Sequence, residues 1–314
     1  MNRWWCLLFP VLACGQSIDD VKLLYRDGKI SDARRAAESL LKLQENNPLA
    51  HYWMAAILAH REIRALDDAT DHIEEAVDGD PNNADFQYLL GAIYGQTASS
   101  AGVFKQAFLA PKIKRAFARA VELNPDHVEA RISLAQYYLM APGIMGGDED
   151  EGFRQLDEAA KRNELRGGSV KATMLERKNR LAEAEDQLTT LVKNHPNNWV
   201  PHKNLGYFLL RRTKFDESIR SMQRYAALRP DTSDAFDSLG EVQLAAGRTD
   251  EAIVTLKKGL TIDPTLGSSL FLLAQAYEKR GMKTEAKEAY RKAALHERSE
   301  QRKKQAAERL KALE

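Results

Sequence analysis

Pro196, Pro230 and Pro264 stand 34 residues apart, and the same residue types recur at the same offsets between them. Leu205-Gly206 matches Leu239-Gly240, and Leu273-Ala274 follows. Ser218, Ala252 and Ala286 share one offset; Met222, Leu256 and Tyr290 share another. A fixed period of this size marks a repeat protein whose unit is one supersecondary element. The residue types make that element a pair of helices, A and B, because the large apolar residues fall at helical spacing. Gly247 and Gly281 stand where helix A must stop with a positive φ. Each proline closes helix B, since it cannot extend the helix and pushes the residue before it into extended backbone. The small residues Gly206, Gly240 and Ala274 are expected to meet Ser218, Ala252 and Ala286, bringing the two helices close. One such pair cannot bury its own apolar face, so pairs stack over a shared core.

These offsets resemble the tetratricopeptide repeat (TPR) family, and the resemblance covers nearly all of the chain. It implies an all-α, right-handed superhelical solenoid of about eight helix-turn-helix repeats over residues 16–294. A charged, proline-free helix at 295–314 is expected to cap it. In the first repeat, Ile18–Asp27 reads as helix A, Gly28 as the turn and Ser31 as the N-cap of helix B. Repeat two lacks the small-residue pair, and repeat five is degenerate in helix A. Two repeats are interrupted. Pro81 to Pro125 spans 44 residues, which places an insert at Gly95–Pro111. A second insert, Ala141–Gly152, carries the string Ala-Pro-Gly-Ile-Met-Gly-Gly. Inserts of this kind in adjacent repeats resemble a group of secreted bacterial TPR proteins.

The first fifteen residues follow other rules. Arg3 and then a ten-residue apolar run, Trp4–Ala13, have the layout of a signal peptide. Val11-Leu-Ala-Cys14 resembles the lipobox of bacterial lipoproteins, which would make Cys14 a lipidated N-terminus. Alternatively, Ala13-Cys-Gly15 is a small-x-small cleavage site that leaves Gln16 first. Either exit predicts a protein exported to the bacterial periplasm or anchored there by lipid. Both remove Cys6, so no internal disulfide forms.

Composition narrows the function. With 46 Lys+Arg against 45 Asp+Glu, no basic excess drives the chain as a whole onto nucleic acid. No apolar run approaches the roughly 20 residues that span a bilayer, so a membrane enters only through the possible lipid anchor. The seven histidines show no metal-ligand spacing, and no nucleophile elbow, phosphate loop or dinucleotide fingerprint occurs. Asp148, Asp150 and Gly152 imitate the start of a calcium loop. Its glycine is one residue early, however, and Ala159 stands where the bidentate carboxylate belongs. No cofactor, metal or catalytic residue is expected.

The TPR resemblance implies that a partner lies in a concave groove lined by helix A. The corresponding positions are Tyr88, Ile132, Lys203, Tyr207, Asp234, Asp237, Glu241 and Phe271, whose aromatic and aliphatic side chains suit recognition of a peptide or helix. Asp234, Asp237 and Glu241 are expected to attract a basic partner. Phe104, Phe108, Ile144 and Met145 of the two inserts form a candidate second lobe. The reading is a non-catalytic protein-interaction scaffold in the bacterial envelope; the alternative is a small-ligand or metal-binding protein that uses the insert lobe.

Overall fold

The computed structural model describes residues 17–313, so the segment read as a signal peptide, with Cys6 and Cys14, lies outside the described residues. The described residues form seventeen α-helices and one short 3-10 turn, with no strand. They divide into two compact units that meet in sequence between Arg162 and Asn163. The first holds α1 (Ile18–Arg26), α2 (Ile30–Leu43), α3 (Pro48–Leu58), α4 (Leu66–Gly79), α5 (Ala84–Ser99), α6 (Val103–Leu123), α7 (Val128–Met140) and α8 (Glu149–Arg162). The second holds α9 (Glu164–Arg177), α10 (Leu181–Asn194), α11 (Trp199–Arg211), α12 (Phe215–Leu228), α13 (Ser233–Ala245), α14 (Thr249–Ile262), α15 (Gly267–Lys279), α16 (Lys283–His296) and α17 (Glu300–Leu313). Odd-numbered helices up to α15 are A helices, and each packs against the B helix that follows it.

The two kinds of helix start differently. Most A helices carry a side-chain cap: Asn47, Asn83, His127, Asn163 and Asn198 each accept a backbone N–H of the first turn. Ser17 and Asp20 form a reciprocal capping box on α1. B helices instead start from the turn before them. Gly28, Arg64, Asn179, Thr213, Gly247 and Gly281 all hold a positive φ, between 52° and 77°. The N–H of the next residue then returns to helix A, as from Lys214 to the Leu209 carbonyl (3.0 Å) and from Arg248 to Gln243 (2.8 Å). Ser31, expected as an N-cap, therefore lies inside the first turn of α2, and Lys29 holds the cap position.

The close approach of A and B takes a different form from the one expected. A Cβ on Gly206 would stand 2.8 Å from Met222, one on Gly240 2.6 Å from Leu256, and one on Gly91 2.7 Å from the Phe117 ring. The glycine is thus roofed by a large side chain of helix B, one turn beyond Ser218 and Ala252 in the two regular repeats and one turn beyond Ile113 in the third. Ser218, predicted to face Gly206 sterically, donates its hydroxyl to the Gly206 carbonyl at 2.7 Å. Ala55 in α3 and Ala172 in α9 occupy the same offset and are buried, so repeat two keeps a small residue where none was expected, and repeat five keeps one within a helix A otherwise read as degenerate.

A second device recurs where each B helix passes to the next A helix. Gln87 donates to the Pro81 carbonyl (3.2 Å) and Arg131 to Pro125 (2.7 Å). His202 meets the Pro196 carbonyl at 3.1 Å and His51 the Glu45 carbonyl at 2.6 Å. Each donor stands six residues after the carbonyl it satisfies, so unlike side chains meet one need, a partner for a loop carbonyl; at Pro196 the Arg224 guanidinium shares that role at 3.2 Å.

The insert at 95–111 is helix rather than loop. α5 has 16 residues where α11 has 13, and α6 has 21 where α12 has 14. The added residues are therefore absorbed as helical turns, and only Ser100–Gly102 link them. Pro111 sits inside α6 on its solvent side, where the N–H it lacks leaves only the exposed Ala107 carbonyl without its helical donor. The second insert is shorter than 141–152. Ala141–Asp148 make the connection, with a 3-10 turn at Gly143–Met145, whereas Glu149–Gly152 open α8 with acids at its positive end. At the C-terminus α16 continues to His296, and α17 follows a break at Glu297–Ser299. α17 buries Ala306 against the core that contains Phe271 and Tyr290.

Candidate functional site

In the second unit, the side chains predicted to line a groove tie successive A helices together. Lys203 of α11 bridges to Asp234 of α13 at 2.8 Å, and the buried Tyr225 donates to the same carboxylate at 2.5 Å. Burial would raise the Asp234 carboxyl, but Lys203 and Tyr225 together hold it below its ordinary value. The Lys203 ammonium also lies 5.4 Å from the Tyr225 ring centre, and that ring stacks on Trp199 at 5.3 Å. Tyr207 donates to Ser238 (2.9 Å) and Glu241 (3.2 Å). Burial raises its phenol, and the carboxylates of Glu241 and Asp237 add to the shift.

Asp237 accepts the hydroxyls of Ser269 (2.6 Å) and Ser268 (3.1 Å) on α15. Burial is the main cause of its raised carboxyl value, against the lowering effect of those two hydroxyls. The three acids are therefore engaged by neighbouring repeats rather than presented as the open acidic patch that was expected. Phe271 departs further from expectation. It is 7% exposed and meets Tyr290 edge-on, with α17 closing the same core.

The open part of this surface lies one residue after each small position, at Tyr207, Glu241 and Gln275. Glu241 and Gln275 lead into a cleft of about 730 Å³ with Leu244, Ala245, Leu272, Lys279 and Arg309 on its walls. Arg309 is held there by the Glu278 carboxylate, and Lys279 by the Leu244 carbonyl at 3.3 Å. Gln275 directly follows Ala274, the small position of its repeat, so the period alone places it beside Glu241 and Tyr207. Lys279 and Arg309 could not be placed there, because the second belongs to the terminal helix and reaches the cleft only through the fold.

In the first unit, Tyr88 is half-buried and packs on His127, ring centres 4.9 Å apart. Ile132, predicted as an anchor, is 2% exposed, an all-carbon side chain that belongs to the core. The insert residues behave in the opposite way. Phe104 and Ile144 are 94% and 95% exposed, so neither pins its segment to the scaffold. Phe108, Val103 and Met140 are also exposed, while Met145 is half-buried and its carbonyl accepts the Tyr137 hydroxyl at 2.5 Å. Among the described residues, no three His, Cys, Asp or Glu side chains gather as metal ligands.

Two family models described as tetratricopeptide repeat match the chain, one at residues 19–84 and 203–266, the other at 267–295. Comparison with curated proteins finds no match. Among solved structures, that of yeast Tom70 has a TM-score of 0.67 and 16% identity over 91% of this chain, which spans 59% of the Tom70 chain. A tetratricopeptide repeat protein from Parabacteroides merdae has a TM-score of 0.51 and 14% identity, covering 94% of this chain and 96% of its own. A human IFIT1 dimer with m7Gppp-AAAA has a TM-score of 0.52 and 17% identity, with 93% and 71% covered. At such identities the likeness is one of fold. With its period, its helix pairs and the matched repeat models, this chain belongs to the tetratricopeptide-repeat family.

Proposed function

We propose that the protein is a non-catalytic interaction scaffold, and that its second unit binds an extended or helical segment of a partner protein along α11, α13 and α15. The observation that carries this reading is the row Tyr207, Glu241 and Gln275 running toward the cleft of about 730 Å³. Its polar groups come from both ends of the charge scale, Glu241 against Lys279 and Arg309, over an apolar floor of Leu244 and Leu272. Such a lining suits the alternating backbone and side-chain groups of a peptide. An oligonucleotide like that in the IFIT1 structure fits less well, because Glu241 and Glu278 stand on the cleft walls and would face its phosphates.

The setting we propose is the bacterial envelope. It rests on the leader-like residues 1–15 and the Ala141–Gly147 string, with Cys14 lipidated or Gln16 as the mature N-terminus. Glu241→Ala/Gln275→Ala/Lys279→Ala is the test, run beside wild type in affinity capture from native envelope extract. A partner held by wild type and lost by the folded variant supports the reading. Equal capture by both sinks it.

A further inference from the structure

We propose that the projecting start of α6, with the 3-10 turn at Gly143–Met145, docks the first unit onto an anionic phospholipid surface. α6 has two apolar faces. Leu109, Ala110, Ile113, Ala116, Phe117 and Ala120 are buried on one. At helical spacing, Val103, Phe104, Ala107, Phe108 and Pro111 lie on the opposite one, and all five are exposed. A soluble helix has no use for the second face. Ile144 and Met140 are likewise exposed on the neighbouring segment.

Charge selects the occupant. Val103–Val121 contains Lys105, Lys112, Lys114, Arg115 and Arg119 and no acid, in a chain whose total net charge is only +1. By helical position, Lys105 and Lys112 flank the outward face on one side and Lys114 on the other, with Arg115 following along it. Lys105 has only a loose 3.7 Å contact with the exposed Asp67. Lys112 and Lys114 lie over the rings of Phe108 and Tyr138, at 5.0 and 4.8 Å, and stay at the apolar surface. Of the acids that follow the 3-10 turn, Asp148 accepts the Glu151 N–H and Glu151 pairs with Arg154 at 2.6 Å, while Glu149 and Asp150 stand exposed at the positive end of α8.

Shape agrees with charge. Phe104 and Ile144 stand almost wholly in solvent as separate tips, which a deformable bilayer accepts without a preformed pocket. A cleft of about 690 Å³ opens beside them, lined by Pro111, Lys114, Arg115, Ile144 and Met145, with its two cations placed to meet a lipid phosphate. No helix among the described residues is long and apolar enough to cross a membrane. The segment would therefore lie in the interface, with aromatic tips in the acyl boundary and lysines at the headgroups.

Flotation of the full chain with phosphatidylcholine vesicles, with and without phosphatidylglycerol, tests this. Wild type should partition onto the anionic vesicles and much less onto the neutral ones. Phe104→Ser/Phe108→Ser/Ile144→Ser should weaken partitioning roughly tenfold or more, with helical content and Tm unchanged. Lys105→Gln and Arg115→Gln should each weaken it roughly fivefold on anionic vesicles only. Residues 1–16 are present in every variant, so equal partitioning of wild type and triple variant would assign the binding elsewhere and overturn the proposal. So would a monomeric wild type that binds neither vesicle, or a dimer abolished by the triple substitution with no vesicle binding, which would give the patch to a second copy.

Discussion

In the pair α13–α14, Gly240 lies beneath Leu256, and the large apolar side chains other than Val254 and Ile262 are buried or half-buried within the pair or against its neighbours. In α5–α6, Gly91 lies beneath Phe117 in the same way, yet the helices continue past the point where the repeat would turn. The shared part of the two pairs makes scaffold. The added turns bury one face and leave the other in solvent, and that outward face carries the most exposed aromatic side chain among the described residues, Phe104. Length beyond the period, more than departure from the consensus within it, is where this chain places chemistry that its fold does not use.

Five substitutions can break or sharpen that contrast. The largest effect is expected from Leu256→Ala, which empties a site of 0% exposure and should lower unfolding stability by about 2–5 kcal/mol. Phe104→Ala in the added turns should stay within about 0.5 kcal/mol in the same denaturant titration. A comparable loss at Phe104 would make the projection part of the core. Next come two glycines one turn apart on α5. Gly95→Ala meets nothing within 4 Å and should stabilise by about 0.5–1 kcal/mol, whereas Gly91→Ala should destabilise by pressing on Phe117.

The smallest effect concerns Asp237. Because burial raises its carboxyl value above the ordinary 3.8, the ionised form is the costly one in the folded state. The stability it contributes is complete below 3.8 and is lost as pH rises through the raised value. Asp237→Asn stays neutral, so it should raise Tm at pH 7, and its advantage should vanish as pH falls below 3.8. An advantage that persists at low pH would mean that the Ser268 and Ser269 contacts prefer an amide at any charge.

The helix pairs were legible in the sequence because proline spacing and small residues are local signals that survive in a single chain. The turns were half legible. Gly28, Gly247 and Gly281 announce a positive φ, but Arg64, Asn179 and Thr213 adopt the same conformation without a glycine to mark it. Thr213 does so as a β-branched residue, against its intrinsic preference. Groove positions were legible only as offsets. Lys203 and Tyr207 at those offsets reach polar partners on the next helix, while Ile132 and Phe271 have no polar end and are buried. The second face of α6 escaped the periodic pattern because apolar residues on opposite sides of a helix cancel the amphipathic signal. Pro111, given as the end of the first insert, is tolerated inside α6 at a solvent-facing position.

The side chains that reach back to the loop carbonyls carry a consequence for how such a protein can change over time. Gln87, Arg131, His51 and His202 share almost nothing but a proton to donate at one place. Selection at that position acts on a hydrogen atom, and a profile built from residue identity would score it as free to vary. Phe236 and Leu270 hold the same position in α13 and α15 and have no proton to give. Those junctions lack that bond and are held by others farther along the helices, Tyr225 to Asp234 at the first and Ser268 and Ser269 to Asp237 at the second, so what is selected at 236 and 270 is packing rather than a proton.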